Sequence, residues 1–351
     1  KPRRYNVASV SEDVAFENLN AHLLRHFPEL VSELEGDVSE LLRAASIASI
    51  EFAGGWGKLT YRQSITLLEI AAQVLKCPDL GMRLAQRQQG GSIFGPLGQV
   101  MRNSKTFGEA VIFACEHSNA HSRAARIWLH PLGDNGETFV GHELLLGNVA
   151  NRAQAMEQIL LVGHLEALAM TGSHARGRRI HFRHEPISPR RTYRHYFGCE
   201  VRFGEPADGV VFLREDFACP IMQHSAQLHS DMVSYIEHAF PAQRPPVHAQ
   251  VRGLIMRRLS LGDCSSGVIA RAMNLHNRTL RRRLKQEGSS FQEVKDEVRR
   301  DLALYYLERT ELDFRRISEK LGFAEQSIFS RNCRRWFGQS PGEIRRTLSG
   351  R

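Results

Sequence analysis

Two apolar periodicities share the first 240 residues, and only one continues beyond them. Between Thr60 and Lys76 the apolar positions Ile65, Leu68, Ile70 and Leu75 predict a helix, and Asp79 to Arg87 continues in helical style. Ala125–His130, a turn over Pro131–Gly136 and then Thr138–Leu144 predict a strand hairpin. Asn151 to Met170 predicts a long helix. Arg179–Arg183, Glu200–Phe203 and Gly209–Leu213 predict short strands. The mixture is that of an α+β domain with a core large enough to enclose a cavity.

After residue 250 the pattern is helical throughout. Ser265 to Ala272 predicts a short helix with Val268, Ile269, Ala270 and Met273 apolar, followed by Asn274, which can take a left-handed turn conformation. In the next segment Leu280 and Leu284 share one helix face while Arg278, Arg281 and Arg282 share another. Ser290-Phe291-Gln292-Glu293 has the form of a capping box and opens a helix running to about Glu308. Its roughly 18 residues span about 27 Å. The first pattern then returns. Asp313 is an N-cap, Ile317 and Leu321 face inward, Gly322-Phe323 forms a turn, and a second basic helix follows from Ala324, a poor N-cap. There Phe329 and Cys333 make the apolar seam while Gln326, Ser327, Ser330 and Arg331 point away. Leu280/Arg282/Leu284 superpose on Phe329/Arg331/Cys333 at an offset of 49, the mark of a repeated helix-turn-helix unit.

Composition narrows the class. With 351 residues, 42% of them apolar and 24% charged, the chain suits two globular domains of unequal size. No stretch approaches the roughly 18–20 apolar residues of a membrane span. Ile159 to Met170, the best candidate, is interrupted by Gly163, His164 and Glu166. No apolar signal core follows the opening Lys1-Pro2-Arg3-Arg4, so neither a membrane nor a secreted protein is expected. Cys77, Cys115, Cys199, Cys219, Cys264 and Cys333 form no CxxC pair, which fits scattered, reduced thiols in a cytoplasmic protein.

The net charge of +9 becomes informative once it is located. Val247 to Arg351 carries 22 Lys+Arg against 12 Asp+Glu, a net of +10, whereas Lys1 to Arg244 carries 25 against 26. A basic excess confined to the last third is the footprint of a module that meets a polyanion, nucleic acid first among them. A helix with a narrow apolar seam and an arginine-dense opposite face suits a major groove, where guanidinium forks reach guanine edges or phosphates. Two such helices held about 27 Å or slightly more apart could reach successive grooves on one DNA face, about 34 Å apart. Pro241, Pro245 and Pro246 mark a semi-stiff linker. The expected organisation is therefore residues 1–240, a linker over 241–250, and residues 251–351.

Three further runs, Leu321-Gly322-Phe323, Ser327–Arg331 and Arg335-Trp336-Phe337-Gly338-Gln339-Ser340-Pro341, closely resemble the signature of the AraC/XylS family of transcription regulators. The first unit and its Gly288–Phe291 boundary match as well, so the resemblance covers essentially Val251 to Arg346. It implies an all-α domain of about seven helices with two helix-turn-helix units binding promoter DNA. By carry-over, Arg278, Arg281 and Arg282 serve the first groove, and Gln326, Ser327, Ser330 and Arg331 the second. The family often has Ser where His276 stands, Ala where Ser318 stands and an aromatic where Cys333 stands. Asp79–Leu84, Phe94–Gly98, Ile180–His184 and Tyr196–Gly204 resemble the amino-terminal effector domain of the subgroup similar to the ornithine-utilisation regulator. That resemblance, over about residues 30–230, implies an α+β domain that receives an unknown small-molecule or protein signal and pairs two chains as a homodimer. RNA polymerase is a further partner the family implies. Whether the regulator activates or represses depends on where its site lies in the DNA.

Other chemistries are weighed and set aside. Gly54–Thr60 resembles a phosphate loop, but Phe52 stands where its first Gly is required and Leu59 follows Lys58. Gly90–Phe94 lacks the second glycine of a nucleophile elbow. His117 and His121 are four apart with no third metal ligand nearby, and read as structural or surface histidines beside a solvated helix end. His181 and His184 read the same way. No catalytic residue, metal or cofactor is expected. Two alternatives remain, a DNA-repair alkyl acceptor using Cys199 or Cys219 and an architectural binder with little sequence preference.

Overall fold

The hairpin of alternating residues grows into a five-stranded sheet. The computed structural model describes residues 16–48, 56–88, 92–132, 136–147, 149, 151–240, 246–259 and 262–349. Strands β1 (Asn18–Asn20) and β2 (Trp56–Thr60) pair antiparallel as a small separate sheet. In the main sheet β3 (Ala125–Leu132) and β4 (Glu137–Leu144) pair antiparallel with Ala125 opposite Leu144, each strand longer than the sequence predicts. β7 (Gly209–Leu213) joins β4, β5 (Arg179–His181) joins β7, and β6 (Glu200–Arg202) closes the edge parallel to β5, giving the order β3-β4-β7-β5-β6.

Around this sheet lie the helices α1 (Phe27–Glu33), α2 (Val38–Ala44), α3 (Tyr61–Val74), α4 (Leu80–Arg87), α5 (Pro96–Asn103), α6 (Phe107–Glu116), α7 (Ala153–Met170), α8 (Arg190–Phe197) and α9 (Ala226–Ala239). Thr60 starts α3 through a full capping box with Gln63. α7 is apolar nearly all round and most of its residues are buried, as a central core helix requires. Gly81 lets α4 approach it closely: a Cβ there would fall 2.2 Å from the Gln154 carbonyl oxygen, and the Gly81 N–H donates to the Gln154 side chain at 2.7 Å.

Several of the motifs weighed in the sequence find their place here. Lys58 of the loop-like Gly54–Thr60 run lies in β2, which opens α3 through Thr60; residues 49–55 are outside the described residues, as are Gly90 and Gly91. Of the two readings, structural or surface, His121 takes the structural one: it is buried, with the edges of Tyr61 and Phe94 against its ring. His117 is half-buried and stacks on Phe113. His184 is buried, its Nδ1 2.8 Å from the Glu185 carbonyl oxygen, and His181 faces Glu205.

The chain divides into two compact units, Lys1–Leu144 with Arg152–Arg244, and Leu145–Asn151 with Pro245–Arg351. The second contains α10 (Val247–Arg258), α11 (Ser266–Ala272), α12 (Asn277–Gln286), α13 (Phe291–Arg309), α14 (Phe314–Lys320), α15 (Gln326–Phe337) and α16 (Pro341–Ser349). Their shared core includes Val251, Ile255, Leu280, Leu284, Val298, Phe329 and Cys333. Of the predicted linker, 241–245 lies outside the described residues, while Val247–Gln250 forms the first turn of α10. The cap that starts this helix is remote in sequence. The Glu287 carboxylate accepts the backbone N–H groups of Val247 at 2.7 Å and His248 at 2.9 Å, taking donors that a helix start leaves unpaired.

Candidate nucleic-acid interface

Each helix-turn-helix unit is assembled by local rules that repeat. Ser265 caps α11 by accepting from the Val268 N–H, and Asp313 caps α14 by accepting from the Arg316 N–H. Both first helices end in the same Schellman closure on a left-handed residue. Asn274 has φ 53° and Gly322 φ 63°. The Leu275 N–H bonds the Ala270 carbonyl at 2.9 Å, and the Phe323 N–H bonds the Ser318 carbonyl at 3.0 Å. The repeat is imperfect by one residue. Ser265 and Asp313 lie 48 positions apart, as do Asn274 and Gly322, but the second helices start 49 apart, at Asn277 and Gln326. The second turn is thus one residue longer.

The N-caps of the second helices depart from expectation. α15 is capped by Glu325, not Ala324, and α12 by His276; neither side chain bonds the helix start. Ser290 caps α13 by accepting from the Glu293 N–H at 3.2 Å, but among the described residues Glu293 does not return the bond, so half of the capping box forms.

On α12, Leu280 and Leu284 are fully buried while Arg278, Arg281 and Arg282 are exposed. On α15, Phe329 and Cys333 are fully buried, Gln326, Ser327 and Arg331 are exposed, and Ser330 is half-buried. The Ser327 hydroxyl is engaged with the Glu325 carboxylate at 2.9 Å. With the offset of 49, Arg278, Arg281 and Arg282 fall on Ser327, Ser330 and Arg331. The predicted residues therefore gather onto equivalent faces of two equivalent helices. Gln326 corresponds to Asn277, which sequence reasoning did not single out, and Lys285 extends the arginine face by a further turn.

The basic residues of this unit split into two groups. Among the described residues, Arg278, Arg281, Arg282 and Arg331 make no ion pair within the chain. Others are structural and converge on α13. Lys295 donates to the Cys264 carbonyl at 2.7 Å, beside the first unit. One turn later Arg299 donates to the carbonyls of Leu321 at 3.0 Å and Gly322 at 2.6 Å, with its guanidinium 4.1 Å over the Phe323 ring. Burial draws the Arg299 pKa below the usual arginine range. Arg335 of α15 reaches back to Asp296 at 2.6 Å. α13 therefore holds the second turn and the second basic helix against its own side chains. Its 19 residues are about 28 Å long. Sequence reasoning missed this bracing, because the acceptors are backbone carbonyls of residues 22 to 31 positions away.

Cys199 and Cys219, the candidate alkyl acceptors, are half-buried, and burial pushes the Cys199 thiol up to about 11 and raises that of Cys219. Protonated thiols are poor nucleophiles. Among the described residues no group of three His, Cys, Asp or Glu could hold a metal ion, and no helix is long and apolar enough to cross a membrane.

Residues 36–221 match the family described as the arabinose-binding domain of AraC transcription regulator, N-term, and residues 269–347 match a helix-turn-helix domain family. The HTH-type transcriptional regulator VirS of Mycobacterium tuberculosis is 32% identical over 289 residues, 80% of this chain and 82% of that one. The Ornithine utilization regulator of Pseudomonas aeruginosa is 28% identical over 323 residues, 90% and 93% of the two chains. The crystal structure of the transcriptional regulator CdpR from Pseudomonas aeruginosa is 20% identical, covering 88% of this chain and 96% of that one with a TM-score of 0.41. These relatives are regulators and not enzymes, and the alkyl-acceptor reading has no support among them.

Proposed function

The chain belongs to the AraC family of transcription regulators, and from that premise we propose that it reads two successive major grooves of a promoter with α12 and α15. The observation that carries this is the pair of equivalent helices, each buried along one seam and presenting unpaired arginine on the opposite face. Arg278, Arg281 and Arg282 serve the first groove, and Gln326, Ser327, Ser330 and Arg331 the second. Arg282 and Arg331, at equivalent positions, suit guanine O6 and N7, while Gln326 suits adenine N6 and N7. The first half-site is therefore the more salt-sensitive, because three arginines also neutralise phosphates there.

The amino-terminal unit receives the signal and pairs two chains, and residues 241–246 pass the change to the basic unit. RNA polymerase is met at the promoter in the cytoplasm, and the position of the site decides between activation and repression. Capture of sheared genomic fragments by the full-length chain at about 0.15 M salt, followed by sequencing, tests the reading. A few fragments enriched by about 10³-fold or more over bulk DNA support it. Even coverage of the genome would instead make the chain an architectural binder.

A further inference from the structure

The amino-terminal unit contains a half-open cavity of about 90 Å³, between the main sheet and the helices α5, α6 and α7. This is of the order of the roughly 150 Å³ apolar cavities that take up benzene. Of the described residues that line it, only His142 and Glu166 are polar; the others are aliphatic, aromatic or Met, apart from two glycines. Glu166 is already engaged by the Arg102 guanidinium at 2.6 Å and 3.1 Å. His142, on β4, is 8% exposed, and its buried Nε2 has no hydrogen-bond partner. Burial, with His121 nearby, pushes its pKa down to about 3, so the ring is neutral at physiological pH. The wall thus offers a ligand one neutral hydrogen-bonding group and no unpaired cation.

Gly163 adds an independent observation. It sits inside α7 and lines the cavity, and a Cβ built on it would meet nothing within 4 Å. Glycine inside a helix costs about 1 kcal/mol relative to alanine. Packing does not require it, so its effect is to keep the space open.

We propose that this cavity is the effector site and that it takes a compact apolar molecule carrying a single hydrogen-bonding group, not a sugar. A pentose would bury four or more hydroxyl groups against a wall that can satisfy one, and each unpaired polar group is costly to bury. The family description names arabinose; the wall of this chain does not suit it. The proposal deepens the regulator reading, and rests on it for the word effector.

Calorimetry on the full-length chain tests the proposal with three probes, phenol, benzene and L-arabinose. Phenol binds, benzene binds about fivefold more weakly for want of one hydrogen bond, and arabinose produces no heat. His142→Leu brings phenol down to the level of benzene. Gly163→Leu fills the cavity and abolishes phenol binding, and Gly163→Ala, which adds one methyl, raises the thermal midpoint as evidence that the helix tolerates a side chain there. Both Gly163 variants retain the affinity of the parent for a captured genomic fragment, which separates failure of the cavity from failure of the DNA-binding reading. Binding of arabinose, phenol binding that survives Gly163→Leu, or no binding of phenol or benzene would each overturn the proposal.

Discussion

Replacing Arg299 with Met should loosen the second helix-turn-helix unit and leave the first intact. The guanidinium donates to two carbonyls at the end of α14 and its left-handed turn, Leu321 at 3.0 Å and Gly322 at 2.6 Å. Carbonyls at a helix end have no partner in the helix itself. Met keeps the apolar stem and removes the charge and all donors. Charge-assisted bonds contribute about 1.5–3 kcal/mol each and do not add fully, so a loss of about 2–4 kcal/mol is expected from the bonds. The ring of Phe323 beneath the guanidinium adds up to about 1 kcal/mol. Hydrogen exchange on the full-length chain reads this directly. Peptides from 314–337 should exchange about 30-fold to 1,000-fold faster, while peptides from 266–286 keep their protection. Binding to the second half-site should weaken in parallel. Unchanged exchange over 314–337, or equal loss in both units, would refute the view that α13 braces the second turn through this side chain.

Other consequences can be checked separately. Arg282→Ala and Arg331→Ala should each cost roughly 1–3 kcal/mol of specific binding and relax base preference at one position, measured by competition titration; a variant with unchanged affinity and preference loses its place on the contact face. Ser318 is buried and its hydroxyl has no hydrogen-bond partner, so Ser318→Ala should leave stability unchanged or raise it by about 1 kcal/mol in urea titration, and a clear loss contradicts this. Gly322→Ala should destabilise the second unit, because φ is 63° and the new Cβ would fall 2.7 Å from the Leu259 carbonyl oxygen; wild-type exchange rates over 314–337 in this variant would be the contrary result. Acid should weaken the amino-terminal unit. Burial lowers His121, His142 and His164 to about 4, about 3 and about 4, so below about pH 6.5 the unfolded chain takes up protons that the folded chain refuses. Each ring then removes about 1.4 kcal/mol per pH unit down to its folded value. Glu157, whose pKa burial raises well above the ordinary carboxylate value although the Tyr193 hydroxyl bonds it, works in the opposite sense and reduces the slope. Urea midpoints that rise between pH 6.5 and pH 5 would contradict the sign.

What the sequence made legible was local. Both helix-turn-helix units, the N-cap at Asp313 and the left-handed Asn274 follow from residues within a few positions of one another, as does the hairpin of β3 and β4. What it concealed depends on partners far along the chain. α10 is started by Glu287, 40 positions away, so its first turn looks like an extension of the Pro-rich linker. β2 looks like a loop because Gly57 and Lys58 dominate it, and it is a strand through its pairing with β1. His121 stands among polar neighbours in sequence and among Tyr61 and Phe94 in space. The candidate DNA contacts were visible because a recognition face is a periodic pattern. The bracing role of Arg299 was not, because backbone carbonyls carry no signature in the side-chain alphabet.

The central claim is that two equivalent helices, held by one 19-residue helix, read DNA together. In vitro selection from a random duplex library with the full-length chain, at about 0.15 M salt, tests it most directly. The account predicts two specified clusters with their centres about 10–10.5 bp apart at a fixed spacing. A single cluster, or two clusters whose spacing varies freely from one selected duplex to the next, would contradict it.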